Sequence, residues 1–155
     1  MKEKLQEYAL LAEIISALAV VITLVILISE VRENTEITRA AAYQSEISKF
    51  TDWRREVTSD DSKLFLFYNF DSGEVPEPGS QEALKLNMLL NSLWGAFESG
   101  YTSYSSGIIG GAEWDRILRT ICSEYPKLIV TNVKDQIFFR LTSDFTNFVE
   151  STCIQ

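Results

Sequence analysis

Histidine is absent from this 155-residue chain, and cysteine occurs only twice. Without histidine, the chain lacks the commonest general base and the commonest zinc ligand. Cys122 and Cys153 form no CxxC pair, so they predict two buried free thiols rather than a disulfide framework. We therefore expect no catalytic residues, no metal, no cofactor and no enzymatic activity.

Positive charge is also scarce, since the formal net charge is −8. Binding to nucleic acid depends on clustered cations at phosphates, so no nucleic-acid partner is expected. The same excess of negative charge argues against a polybasic lipid-binding surface. A P-loop is missing as well, because the only glycine-rich segment, GIIGG at 107–111, has no lysine and no flanking strand.

The most prominent feature present is an apolar run, Ile14–Ser29, which contains no charge, proline or glycine. Extended to Ala9, with Glu13 as its one charge, the run reaches about 31 Å as a helix, enough for a bilayer core of about 30 Å. Residues 1–31 are therefore interpreted as a membrane anchor helix and residues 32–155 as a soluble domain. Two alternatives are a cleaved signal peptide, for which the following SEVREN is a poor cleavage site, and a buried helix of a soluble core.

The side of the membrane is weakly specified. Lys2 and Lys4 precede the apolar run, and Arg32 and Arg39 follow it, so the positive-inside rule gives a near tie. Free thiols and the lack of an Asn-x-Ser/Thr sequon favour a cytoplasmic body.

The rest of the chain predicts an all-α protein in which one membrane helix leads into a bundle of about four or five helices. No glycine or proline precedes Gly73, so the first helix can extend beyond the membrane. A three-four spacing after it predicts an inward face: Ile37, Ala41, Gln44, Ile47, Phe50, Arg54 and Val57.

Further helices are expected after a break at 58–60. The segment 64–70 is favoured as a helix over a buried strand, and 71–80 is a loop. Gln81–Ser105 is the second long helix, with a core face of Leu86, Leu90, Leu93, Trp94, Phe97, Tyr101 and Tyr104. Helices at 113–125 and 144–153 follow, and Pro126 is expected to separate the first of them from helix ends or a short strand at 128–130 and 137–139.

Three motifs in sequence order suggest a resemblance: AEIISALAVVITLVILISEVRENT, then AAYQS, then FESGYTSYSSGIIGGAEW. The chain resembles a widespread group of uncharacterised bacterial proteins that carry one N-terminal transmembrane helix and a helical soluble domain. The matching positions are Arg32, Asn34, Thr35, Tyr43, Gln44, Phe97, Glu98, Tyr101, Tyr104, Gly107 and Trp114. The resemblance implies a single-pass protein of the bacterial inner membrane with a cytoplasmic body, and it implies no activity.

Within the anchor, small residues recur on one helix face: Ala12, Ser16, Ala19 and Thr23. Small residues let membrane helices pack closely, so this ridge is a candidate oligomer interface. Glu13 is either a carboxylate at a pore mouth or an interfacial side chain in the headgroup layer.

In the body, Glu98 lies beside the aromatic face in a segment with Tyr101 and Tyr104. It could bind a ligand or transfer protons, but a structural acceptor for Arg32 or Arg39 and for tyrosine hydroxyls is the favoured interpretation.

Two functions follow from these features. The first is a membrane-anchored, self-associating structural or interaction protein whose partners are membrane lipid, copies of itself and other membrane proteins. The alternative is a pore-forming or ligand-gated membrane protein whose soluble bundle controls the transmembrane helices.

Overall fold

The structure, a computed structural model, describes the backbone of residues 2–154 and the side chains of Gln6 and residues 12–154. The described part of the chain contains helices and no strand, as the sequence predicts. The first helix, α1, is Lys2–Thr58. The chain divides into two compact units, Met1–Thr38 and Arg39–Gln155. The hydropathy-based boundary after residue 31 stays a prediction.

The break after α1 forms where the cap-type residues occur. Asp60 accepts a hydrogen bond from the backbone N–H of Ser62 at 2.8 Å and so caps α2, Asp61–Asp71. Hydrogen bonds from Ser62 hold the pKa of the Asp60 carboxyl below its ordinary value. The segment favoured as a helix, 64–70, is therefore confirmed.

The third helix, α3, is Gln81–Ser105, and its bounds agree with the prediction. Ser80 caps it by accepting from the N–H of Ala83 at 3.0 Å. Trp94 and Phe97 are fully buried on the predicted core face, whereas Tyr104, at the end of that face, is exposed. A Cβ on Gly100 would lie 3.4 Å from the Ile117 side chain, an ordinary van der Waals distance.

The fourth helix, α4, is Gly111–Val130, and it runs through Pro126. The expected break at Pro126 is wrong. Proline removes one backbone donor and costs about 3 kcal/mol in a helix interior, but Tyr125 and Leu128 on either side are buried and favour continuation. The chain turns at Asn132, whose φ is 57°, before the short helix α5, Lys134–Phe138. Of the two alternatives left open for 128–130 and 137–139, the structure has helix ends, since α4 ends at Val130 and α5 at Phe138, and no strand occurs among the described residues.

The last helix, α6, is Ser143–Cys153. Cys153 forms a disulfide with Cys122 of α4, across a Cα–Cα distance of 5.0 Å. The prediction of two free thiols is therefore wrong. Spacing along the sequence gave no indication of the pairing because the two cysteines meet only when α6 packs on α4.

The inward face of α1 after residue 31 was predicted only in part. Ile47, Phe50 and Val57 are partly or fully buried as expected, whereas the remaining four residues of that face are exposed: Ile37, Ala41, Gln44 and Arg54. The face that packs on the bundle is rotated and carries instead Ala42, Tyr43, Glu46 and Trp53. Glu46 is the unexpected member, because a carboxylate normally marks the solvent side of a helix.

Candidate functional site

The apolar segment of α1 leaves its side chains uncovered. The large apolar residues from Ile14 to Val31 are 51–64% exposed. Burial of each such side chain contributes about 1.5–3 kcal/mol, so twelve of them in water would forgo tens of kcal/mol. The helix is long and apolar enough to span a membrane. None of its most apolar segment is buried, unlike a helix in the core of a soluble protein.

The small-residue ridge lies within this segment. Ala12, Ser16, Ala19 and Thr23 are all exposed, so the face they form is uncovered. The Thr23 hydroxyl donates to the Ala19 carbonyl of its own helix at 2.8 Å. The hydroxyl proton of Thr23 is therefore already hydrogen-bonded within its own helix. What the ridge offers a second helix is close approach of the two backbones. Glu13 is exposed next to the ridge.

The polar and aromatic residues predicted to form one cluster are only partly together. Tyr104 stacks on Trp114 with ring centroids 5.1 Å apart, and Tyr101 lies 6.0 Å from the same ring. Arg32 and Arg39 are exposed on α1, in different compact units.

Glu98 has a different partner from the expected one. Its carboxylate accepts a hydrogen bond from the backbone N–H of Thr142 at 2.6 Å. Thr142 is the N-cap of α6, where a negative charge also interacts favourably with the helix dipole. No salt bridge of Glu98 occurs among the described residues. The contact supports the structural role that was favoured for this carboxylate, with a backbone donor in place of an arginine.

A second polar cluster, which sequence reasoning missed, is built around Glu46. This side chain is 5% exposed, and its carboxylate accepts from Lys49 at 3.0 Å and from Ser103 at 3.1 Å. Lys49 also donates to the Ser99 hydroxyl at 2.6 Å. The cluster therefore joins α1 to α3 by charge-assisted hydrogen bonds, which are partly buried at Glu46 and exposed at Lys49.

The Lys49–Ser99 contact resembles a serine–lysine pair, but its lysine is also bonded to a carboxylate. A lysine that serves as a base must offer a lone pair to the serine proton. Here the Lys49 ammonium donates both to Glu46 and to Ser99, and an ammonium has no acceptor. The geometry indicates a structural clasp.

No protein-family model, curated protein or solved structure matches this chain.

We predict that Glu46→Ala lowers the free energy of unfolding by about 1–3 kcal/mol, because the half-buried hydroxyls of Ser99 and Ser103 lose a charged acceptor. Glu46→Gln should cost less, since an amide oxygen still accepts from Ser103. Thermal and urea unfolding followed by tryptophan fluorescence measures the change. Glu36→Ala, at an exposed position of the same helix where no salt bridge occurs among the described residues, is the control, and equal stability of Glu46→Ala and Glu36→Ala would contradict a clasp.

Proposed function

We propose that this protein is a single-pass membrane protein whose N-terminal helix anchors a helical body and associates with copies of itself. The body then serves as a structural or interaction module in a membrane assembly. The observation that carries the proposal is the uninterrupted exposure of apolar side chains from Ile14 to Val31. In lipid these side chains are solvated, and the helix satisfies its own backbone hydrogen bonds.

Self-association is supported by the ridge. Lipid removes the hydrophobic drive between membrane helices, so packing at small residues decides which faces meet. The ridge brings Ala12, Ser16, Ala19 and Thr23 to one face, and the opposite face carries branched residues such as Val21 and Val25. The hydroxyl of Thr23 points to its own backbone, which favours a packed interface over a water-lined pore.

The disulfide changes one part of the expectation, namely the side of the membrane on which the body lies. The cytoplasmic expectation rested on free thiols, the missing sequon and the resemblance, and the thiols are paired. Disulfides persist in oxidising compartments and are rare in the cytosol. The charges flanking the anchor do not oppose either orientation. We therefore place the body on the extracytoplasmic side, at the inner membrane if the bacterial resemblance holds.

The anchor predicts membrane retention. The full chain should stay in the membrane pellet through carbonate washing, because lipid covers the apolar segment. A variant lacking residues 1–29 should be released as a folded helical domain, as judged by circular dichroism and tryptophan fluorescence. Full-length protein in the soluble fraction would contradict the anchor.

The ridge predicts a homo-oligomer that depends on small side chains. Replacing both Ser16 and Ala19 with leucine should weaken the oligomer because the larger side chains hold the helices apart. Mass photometry and cross-linking of the solubilised protein measure this, with Val21→Leu and Val25→Leu on the opposite face as the matched control. A monomeric wild type would refute self-association, and an equal effect of both pairs would refute the ridge.

The disulfide predicts the orientation. Alkaline phosphatase fused after Gln155 should be active, whereas a green fluorescent protein at the same position should be dark. Cys122 and Cys153 should react with a maleimide only after reduction. Bright fluorescence together with two reactive thiols in untreated cells would place the body in the cytoplasm.

A further inference from the structure

An aromatic cleft of about 390 Å³ lies where α1, α2, α3 and α4 meet. Its lining includes two ring pairs, Phe50 with Phe97 and Trp53 with Phe67, whose centroids are 5.2 and 5.0 Å apart. The indole N–H of Trp53 donates to the Leu89 carbonyl at 3.0 Å, so its one polar atom is already satisfied. The rings therefore offer an apolar surface to a ligand.

The mouth of the aromatic cleft is cationic. Arg54 of α1 and Arg116 of α4 line it, and both are exposed. In the part of the chain that the structure describes, neither guanidinium forms a salt bridge. Arg116 donates a single long hydrogen bond, 3.3 Å, to the Tyr43 hydroxyl.

One carboxylate, Glu124, also lines the aromatic cleft, but it is already paired. Its oxygen accepts from Lys127 at 2.9 Å, and Lys127 also donates to Asp71. Partial burial lowers the pKa of Lys127, but these hydrogen bonds more than offset it, so the pKa lies above its ordinary value. Lys127 is therefore charged near neutral pH, but it is shared between Glu124 and Asp71 and offsets one of these two carboxylates. Together with Arg54 and Arg116, these five groups carry a net charge of +1, in a chain of net charge −8.

We propose that the aromatic cleft binds an apolar monocarboxylate, with its hydrophobic body on the rings and its carboxylate at the exposed guanidinium groups that line the cleft, those of Arg54 and Arg116. Guanidinium groups match carboxylates in a bidentate geometry, and the volume lies within the range of small-molecule sites. A larger groove of about 790 Å³ beside the 75–80 loop has no ionisable residue in its lining, so it offers no comparable selectivity for charge. This binding site is independent of the proposed anchoring function.

The test uses the full chain in lipid nanodiscs and two water-soluble probes of one shape, 2-naphthoate and the neutral 2-naphthamide. Isothermal titration calorimetry, corrected with empty nanodiscs, measures both dissociation constants. We expect wild type to prefer naphthoate by about tenfold or more, as charge-assisted hydrogen bonds provide. Replacing both Arg54 and Arg116 with glutamine should abolish this preference, while Arg140→Gln, outside the cleft, should leave it unchanged.

A second variant tests the location of the binding site without changing any charge. Thr51 is exposed on α1 and lines the cleft, so Thr51→Trp should block both probes without disturbing the core. Equal affinity of wild type for the two probes would overturn the proposal. So would a preference that survives the double arginine substitution, or binding no greater than that of empty nanodiscs.

Discussion

The requirement that the apolar side chains of Ile14–Val31 leave water is the constraint on which the proposed biology of this chain depends. A helix is the only single segment that meets it in lipid, because every backbone N–H and C=O must be paired internally. The local sequence supports that solution, since the run contains no helix breaker and Thr23 uses its hydroxyl proton within the helix. The residues of the run therefore favour a continuous helix, and the structure has one.

The body is stabilised by its own contacts. Trp94 and Phe97 of α3 are fully buried, and Trp114 of α4 stacks on Tyr104. The Cys122–Cys153 disulfide then ties α6 to α4. Closing a loop of about 30 residues in this way typically contributes about 2–4 kcal/mol, largely by restricting the unfolded chain. Changes in the apolar segment of α1 should therefore alter location and association more than the fold of the body.

Rules that act within a few residues predicted most of the fold, and each prediction that failed has its own physical cause. Capping residues and apolar spacing located α2 and both ends of α3, because those signals act within a few residues. Pro126 was misjudged because burial of its neighbours outweighs the lost backbone hydrogen bond. Likewise, the pairing of Cys122 with Cys153 depends on how distant helices pack.

The site residues were harder to predict for the same reason. The ridge and Glu13 depend only on helical spacing, so they could be listed from sequence, although their roles stay predictions. Glu46 could not be found, because its burial requires hydroxyls from a helix more than 50 residues away, at Ser99 and Ser103. Arg54 and Arg116 likewise come to one cleft only through tertiary packing.

A buried carboxylate between two helices adds little net stability, but its hydrogen bonds form only when the helices have one particular alignment. Apolar side chains of α1 could pack on α3 in several registers at similar cost, because hydrophobic contact is not directional. A slip by one turn would carry Glu46 away from Ser99 and Ser103 and leave its buried carboxylate without those two hydroxyl donors. The cost of that state disfavours the alternatives. The same register sets which side chains of α1, Phe50, Trp53 and Arg54, reach the aromatic cleft. The clasp at Glu46 therefore favours the register on which the shape of the cleft depends, although Glu46 itself does not line the cleft.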